Sequence, residues 1–457
     1  MAYSFSVTVG NMRSDATLKF KSNERIVSLD VIRGFALCGI LLINICFAGL
    51  IRVFDVDAIH FKESNPKDFY AWFIVYVFFE GKMRCLFSML FGAGIVLFTS
   101  KTLQPVNTAD AYFRRMMWLL AFGLADSLLL LWMGDILYQY ALCGMLIYVF
   151  RNLPAKHLTI LALCCIVYLG WKSNESFAAD KRLINKYDLA VKILLENKPL
   201  SNEQRQDVMT WSERQKNFYP FNDNIIERYR NSIELNINNK QQGYSKMFKQ
   251  RKKEVVYIHS ILFYQTFWET LSSMFMGMAL LKIGFFTGGF AKKKYLQILA
   301  ICMLIGLPLS YLIVSRPYSF AARYYTYYLT HNPFDLTCYE QIPRFLIAIA
   351  YASALMLLCM SGKMKRLITV LAAVGRMAFS NYILQSVFYM ILFYGCGFAL
   401  FGSFSRLDLY GICILMWVFH ITFSTLWLKY FSYGPLEWLW RSLTFLKWYP
   451  FVKQKVI

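Results

Sequence analysis

Long apolar runs separated by short polar connections set the pattern of this chain. The first run, 26-IVSLDVIRGFALCGILLINICFAGL-50, is long enough to cross a bilayer. Repeating the reading along the chain predicts about ten spans, at 29–52, 69–98, 113–132, 135–151, 156–171, 257–281, 295–315, 343–360, 367–395 and 408–430. The expected fold class is therefore all-α, a polytopic membrane protein. Segment 69–98 is too long for a single straight crossing: as one helix it would measure ~45 Å, against a hydrocarbon core of ~30 Å. It either tilts strongly or breaks near Gly81, inside 80-EGKMR-84.

The blocks divide the chain into a cytoplasmic segment 1–28, a first membrane part 29–171, an insertion 172–256, a second membrane part 257–430 and a tail 431–457. The insertion is polar, Lys/Glu- and Asn-rich and poor in glycine. It is expected to be mainly helical and extracytoplasmic, with 217-NFYPFN-222 packed on the membrane part. The loop 323-RYYTYYL-329 suits the outer interface, where tyrosines favour the headgroup level. The tail sequence 434-GPLEWLWRSLT-444 reads as a break followed by an amphipathic helix on the cytoplasmic membrane surface. Its i,i+4 pair Glu437 and Arg441 would brace the span ends.

Composition agrees: 57% of residues are hydrophobic and 18% aromatic. The net charge of +22 does not point to nucleic acid, because the bases collect in alternate short connections. These hold Lys101, Arg114 and Arg115; Arg151 and Lys156; Lys282 and Lys292 to Lys294; and Lys363, Lys365 and Arg366. The 53–68 connection is acid-rich instead. Both termini are therefore expected in the cytoplasm, with the first span targeting the chain and no cleaved signal preceding it. The lipid bilayer is the evident partner, and some of the excess base suits acidic headgroups. The 11 cysteines lie mostly within spans, with no CxxC or Cys/His ligand spacing, so neither a metal site nor a disulfide framework is expected. Only Cys338 and Cys396 would both face outward. No GxxxG stripe predicts an oligomeric state.

Charged groups inside spans are the candidate chemistry. Asp30, Arg33 and Asn44 share one helical face, with Asn44 ~21 Å along the axis from Asp30. Glu80 and Arg84 are i,i+4 neighbours that would neutralise each other. Glu80, Asp126 and Arg376 all fall ~14–17 Å into their spans, close to the midplane. Asn381 and Gln385 add an amide stripe to Arg376's span. A polar chamber lined by spans one, two, three and nine accounts for these groups; the alternative is a buried network that only cements helices. The motif 132-WMGD-135 places Trp132, Gly134 and Asp135 at the outer surface, either as a lid or with Asp135 capping the next helix.

The stretches 29-LDVIRGFALCGILLIN-44, 86-LFSMLFGAG-94, 134-GDILYQYALCG-144, 375-GRMAFSNYILQ-385 and 434-GPLEWLWRSLT-444 together resemble the YeiB-type family of bacterial inner-membrane proteins, the domain-of-unknown-function family 418. That family is similar to membrane acyltransferases, including the heparan-α-glucosaminide N-acetyltransferases, which carry acyl groups from cytoplasmic acyl-CoA to sugars on the far side. The resemblance implies an acyl-CoA co-substrate with no permanently bound cofactor, a glycan or lipid-linked acceptor, and a bacterial inner-membrane location. It departs at two positions. The catalytic His of the heparan enzymes corresponds to Asp55 here, with His60 nearest, and many YeiB-type chains carry a His where this one has Asp126. The roles that follow are Asp126 or Glu80 as general base and Arg376 and Asn44 polarising the acyl carbonyl, with His60 in reserve. Lys363, Lys365 and Arg366, or the 292–294 cluster, would meet the CoA phosphates. Asp30 and Arg33 would lock the cytoplasmic end. Two other readings stand beside it: a transporter or flippase with a midplane polar site, and a non-catalytic scaffold.

Overall fold

The computed structural model describes residues 26–51, 66–100, 108–217, 234, 237–257, 259, 263–315 and 336–453. His60, Asp55 and the 323–329 segment lie outside the described residues, as does most of 217–222. No strand occurs among the described residues, and the protein is an all-α polytopic membrane protein. Among the described residues six helical stretches are long and apolar enough to cross a membrane, or seven if a bent pair is taken as one span. The first is α1 (Val27–Gly49), followed by α2 (Pro66–Phe78) and α3 (Lys82–Ser100). Next come α4 (Thr108–Leu129), α5 (Leu137–Ile147) and α6 (Ala155–Leu195). The insertion adds α7 (Asn202–Asn217) and α8 (Tyr244–Tyr257). The second part holds α9 (Phe263–Lys282), α10 (Lys292–Val314), α11 (Gln341–Ser361), α12 (Lys365–Arg376), α13 (Ala378–Phe393), α14 (Arg406–Tyr430) and the tail helix α15 (Pro435–Phe445). Helix stands at all ten predicted spans; α4, α5 and α9 are the shorter or more polar ones.

Segment two is interrupted at residues 79–81, between α2 and α3, without a sharp bend. Gly81 takes φ +69°, and a Cβ there would lie 2.0 Å from the Arg344 guanidinium, so only glycine fits both the conformation and the space. The ninth predicted span, expected to be continuous, is also broken: α12 and α13 meet at 74° beside Met377. A break at that depth strands the first N–H groups of α13 away from water. Glu437 of α15 supplies their acceptors, its Oε1 taking the Phe379 and Ser380 N–H groups at 2.8 and 3.1 Å. The tail helix is therefore built into the bundle and does not merely lie on the membrane surface. Trp440 packs on Phe379 and donates to the Arg115 carbonyl at 2.8 Å.

The fifth span does not end at the membrane, since α6 runs 41 residues into the insertion. There its far half packs on α7 through Phe177, Ile184 and Trp211. All cysteines are free. The main core gathers α1, α4, α5, α9, α13 and α14, and a second cluster gathers α1, α3, α9 and α11. α1 and α9 both bridge the two clusters.

Candidate functional site

Where α1 crosses α12, the backbones touch. A Cβ on Gly34 would lie 2.1 Å from the Leu371 carbonyl oxygen, and one on Gly375 only 1.8 Å from that of Asp30. This notch sets the neighbouring Arg33 and Arg376 on one cavity of about 340 Å³, within the usual size of small-molecule sites, ~300–1,000 Å³. Arg115 arrives from α4, and Glu437 and Arg441 from α15. Each guanidinium is held: Arg33 by Asp30 at 3.0 Å, Arg115 stacked 3.5 Å above the Trp440 ring, Arg441 4.6 Å from the Tyr449 ring. Arg376 reaches the Ser432 carbonyl at 3.4 Å. Four guanidiniums against the two carboxylates of Asp30 and Glu437 leave an excess of two positive charges, a field that selects an anion. Burial pushes the Glu437 carboxyl above its ordinary pKa, and its hydrogen bonds from Ser380 and Phe379 pull the other way. From this charged end the wall turns apolar through Phe87, Leu90, Phe91, Met116 and Leu119. At the far end stand Tyr140, bonded to Ser88 at 2.6 Å, and Tyr382.

Behind Tyr382 lies the α4–α5 hairpin. The Tyr382 hydroxyl accepts from the Ile136 N–H at 3.1 Å and donates to the Gly134 carbonyl at 3.2 Å. Asp135 caps α5 through the Leu137 and Tyr138 N–H groups at 3.1 and 2.9 Å. Trp132, expected at the surface, is buried against Tyr389, ring centroids 4.8 Å apart. Asp126 is buried here too, its carboxyl approached by Asp135 and the Ser386 hydroxyl, and neither of its oxygens makes a well-aligned hydrogen bond among the described residues. On the insertion side of the hairpin, the His259 ring lies 4.1 Å from Tyr138 and its Nε2 is 3.4 Å from the Ser127 hydroxyl.

The polar groups do not converge on one chamber. The cavity takes Arg33 and Arg376 and adds α5 and α15 to its expected walls, but Glu80, Asp126 and Asn44 do not line it. Glu80 is not paired with Arg84. It meets Arg344 of α11 at 3.0 Å, while Arg84 meets Glu269 of α9 at 2.8 Å. Arg344 also binds Glu269 and, at 2.9 Å, Glu340, and the buried Lys82 donates to the Tyr76 carbonyl at 2.7 Å. With both its oxygens on Arg344, Glu80 is bound into a structural lattice and is not free to act as a base. Asn381 turns to α14, its amide donating to Ser424 at 2.9 Å and its oxygen facing His420 Nδ1 at 3.2 Å. Lys363, Lys365, Arg366 and the 292–294 lysines are exposed and away from the cavity, so an anion there would meet the four arginines instead. The sequence reading missed Arg115, Tyr140 and Tyr382, and it missed Glu269 and Arg344, whose charges within spans six and eight are the same signal that singled out Glu80.

A helical bundle whose spans are interrupted around a cationic, aromatic-walled cavity defines a class, the multi-pass membrane proteins. Residues 25–203 match the model of the heparan-alpha-glucosaminide N-acetyltransferase catalytic region, and residues 280–447 match that of DUF418, a protein family of unknown function. YeiB of Escherichia coli K12 is 29% identical across 92% of this chain and 96% of its own length. YxaH of Bacillus subtilis 168 is 25% identical across 95% and 97%. No solved structure matches. The chain is thus similar over nearly its whole length to YeiB-type proteins, and its second membrane part matches the DUF418 model.

Proposed function

We propose that this protein moves an acyl group from acyl-CoA to a hydroxylated acceptor, a sugar or glycan on the far side of a bacterial inner membrane. The carrying observation is the cavity, with its excess of positive charge at one end and its apolar wall ending at two tyrosines. By the positive-inside rule the arginine end faces the cytoplasm, as do both termini. Arg33, Arg115, Arg376 and Arg441 would hold the CoA phosphates, the apolar wall would take the pantetheine arm, and the thioester would lie at the tyrosine end beside Tyr140 and Tyr382. The acceptor oxygen attacks that carbonyl carbon, a C–O bond forms and the C–S bond breaks. The hydroxyl proton passes by way of the intervening Tyr382 hydroxyl to Asp126 and returns by the same route to the departing thiolate.

A transporter is the second reading, favoured by the breaks at Gly81 and Met377, since irregular backbone at membrane depth belongs where substrate passes. The test uses full-length protein in nanodiscs with radiolabelled acetyl-CoA. Calorimetry should detect CoA binding, label should pass to an added glycan panel, and Asp126→Asn should cut transfer by about 10²–10⁴ while CoA affinity holds. Liposome uptake of an unmodified glycan without CoA binding overturns the proposal in favour of transport.

A further inference from the structure

Four side chains beyond Tyr382 carry buried polar atoms that complete no well-aligned hydrogen bond among the described residues, although Asp135 and Ser386 approach Asp126 and the Tyr382 hydroxyl approaches the Trp132 indole. They are both oxygens of Asp126, the indole N–H of Trp132, both ends of the Gln385 amide and the Tyr389 hydroxyl. Each residue is only 1% exposed. They gather in one place. The Trp132 and Tyr389 rings touch, and the Trp132 backbone N–H bonds to the Asp126 backbone carbonyl at 3.2 Å. Helical spacing sets Gln385 between Tyr382 and Tyr389 on one side of α13. Leu131, just before Trp132, is fully buried and held at φ +58°, a strained conformation for leucine that turns the chain at this point.

One orphaned polar atom at this depth is costly; four neighbouring side chains with unmet hydrogen bonds mark a site. Their chemistry selects the occupant. The N–H donors of Trp132 and Gln385 oppose a cation, and the Asp126 carboxylate opposes an anion. A hydroxyl both donates and accepts, and two aromatic rings flank it. We infer that Asp126, Trp132, Gln385 and Tyr389 form an occluded site for a hydroxyl group, belonging either to water or to the acceptor. The place fits the acceptor. Tyr382 separates the site from the cavity, and Tyr394, which accepts from Lys240 of the insertion at 3.2 Å, stands at its other end. Assigning the hydroxyl to the acceptor rests on the acyl-transfer reading; the existence of the site does not.

The test is thermal denaturation of the full-length protein in nanodiscs, with and without millimolar glucose, for the wild type, Tyr389→Phe, Gln385→Leu and Trp132→Phe. Each variant is expected to lose a few degrees, because it removes a hydrogen bond to the held group. A glucose-induced rise in the wild type that the variants lose assigns the hydroxyl to a sugar. Equal losses without any glucose response assign it to water. Variants as stable as the wild type, or more so, overturn the proposal, since removing dry orphaned groups relieves their cost. If the variants do not fold, a high-resolution cryo-EM map of the wild type decides: density within hydrogen-bond reach of Asp126 is expected, and a clean void there refutes the site. CoA binding, measured on the same samples, tests the arginine cavity separately.

Discussion

Replacing Arg344 with methionine probes the charge lattice at the break in segment two. Three acids, Glu80, Glu269 and Glu340, face three bases, Lys82, Arg84 and Arg344, so the group is formally neutral. Arg344 is its hub, with a side chain 8% exposed that touches all three acids. Arg344→Met keeps much of the volume but leaves one uncompensated negative charge in a buried setting, and should cost about 3–5 kcal/mol. Glu340→Gln should cost far less, about 0–1 kcal/mol, because that carboxylate is 44% exposed and water screens its loss. Glu80→Gln should fall between. The double variant Arg344→Met, Glu80→Gln removes one charge of each sign and restores neutrality. It should therefore be more stable than the sum of the singles by about 0.5–3 kcal/mol. Equilibrium unfolding in mixed micelles measures each value. An Arg344→Met cost below that of Glu340→Gln, or strict additivity in the double variant, refutes the lattice as the element that holds the break.

The α1–α12 notch should not tolerate a methyl group. Gly375→Ala drives a Cβ into the Asp30 carbonyl and should cost at least about 1–3 kcal/mol, read as a lower unfolding midpoint. Glu437→Ala strips the acceptor from the start of α13 and should cost about 1–2 kcal/mol, with Glu437→Gln losing less. Combined Arg115→Ala and Arg441→Ala should weaken CoA binding at least tenfold, at about 1.5 kcal/mol or more per lost charged contact. The remaining affinity should fall less steeply with salt, and unchanged calorimetric affinity would remove these residues from the phosphate site.

Much of this architecture is legible in the chain because membrane spans are written in long apolar runs. The ion pair on the first span was legible too, since Asp30 and Arg33 are one turn apart and meet across that turn. What failed was pairing across distance. Glu80 and Arg84 are also one turn apart on paper, but α2 ends before them and Gly81 interrupts the helix, so helical spacing stops applying inside the break. Each then takes a partner more than a hundred residues away, on α11 and α9. The same limit explains the CoA-phosphate reading. Exposed lysines in a connection look available, whereas Arg115 looks like one more topology determinant until α15 lays Trp440 beneath it.

Depth along a span was an incomplete guide in another way. Arg376 and Asp126 both lie at mid-depth, yet Arg376 lines the cavity and Asp126 stands behind Tyr382. Depth orders groups along the membrane normal and says nothing of which face each helix turns inward. That separation gives the acyl-transfer reading its physical sense. The positive field and the buried Asp126 carboxyl are kept apart by one tyrosine whose hydroxyl is bonded into the hairpin. Were Asp126 open to the cavity, a guanidinium would neutralise it as Arg344 neutralises Glu80, and it would be unable to take a proton from an incoming hydroxyl.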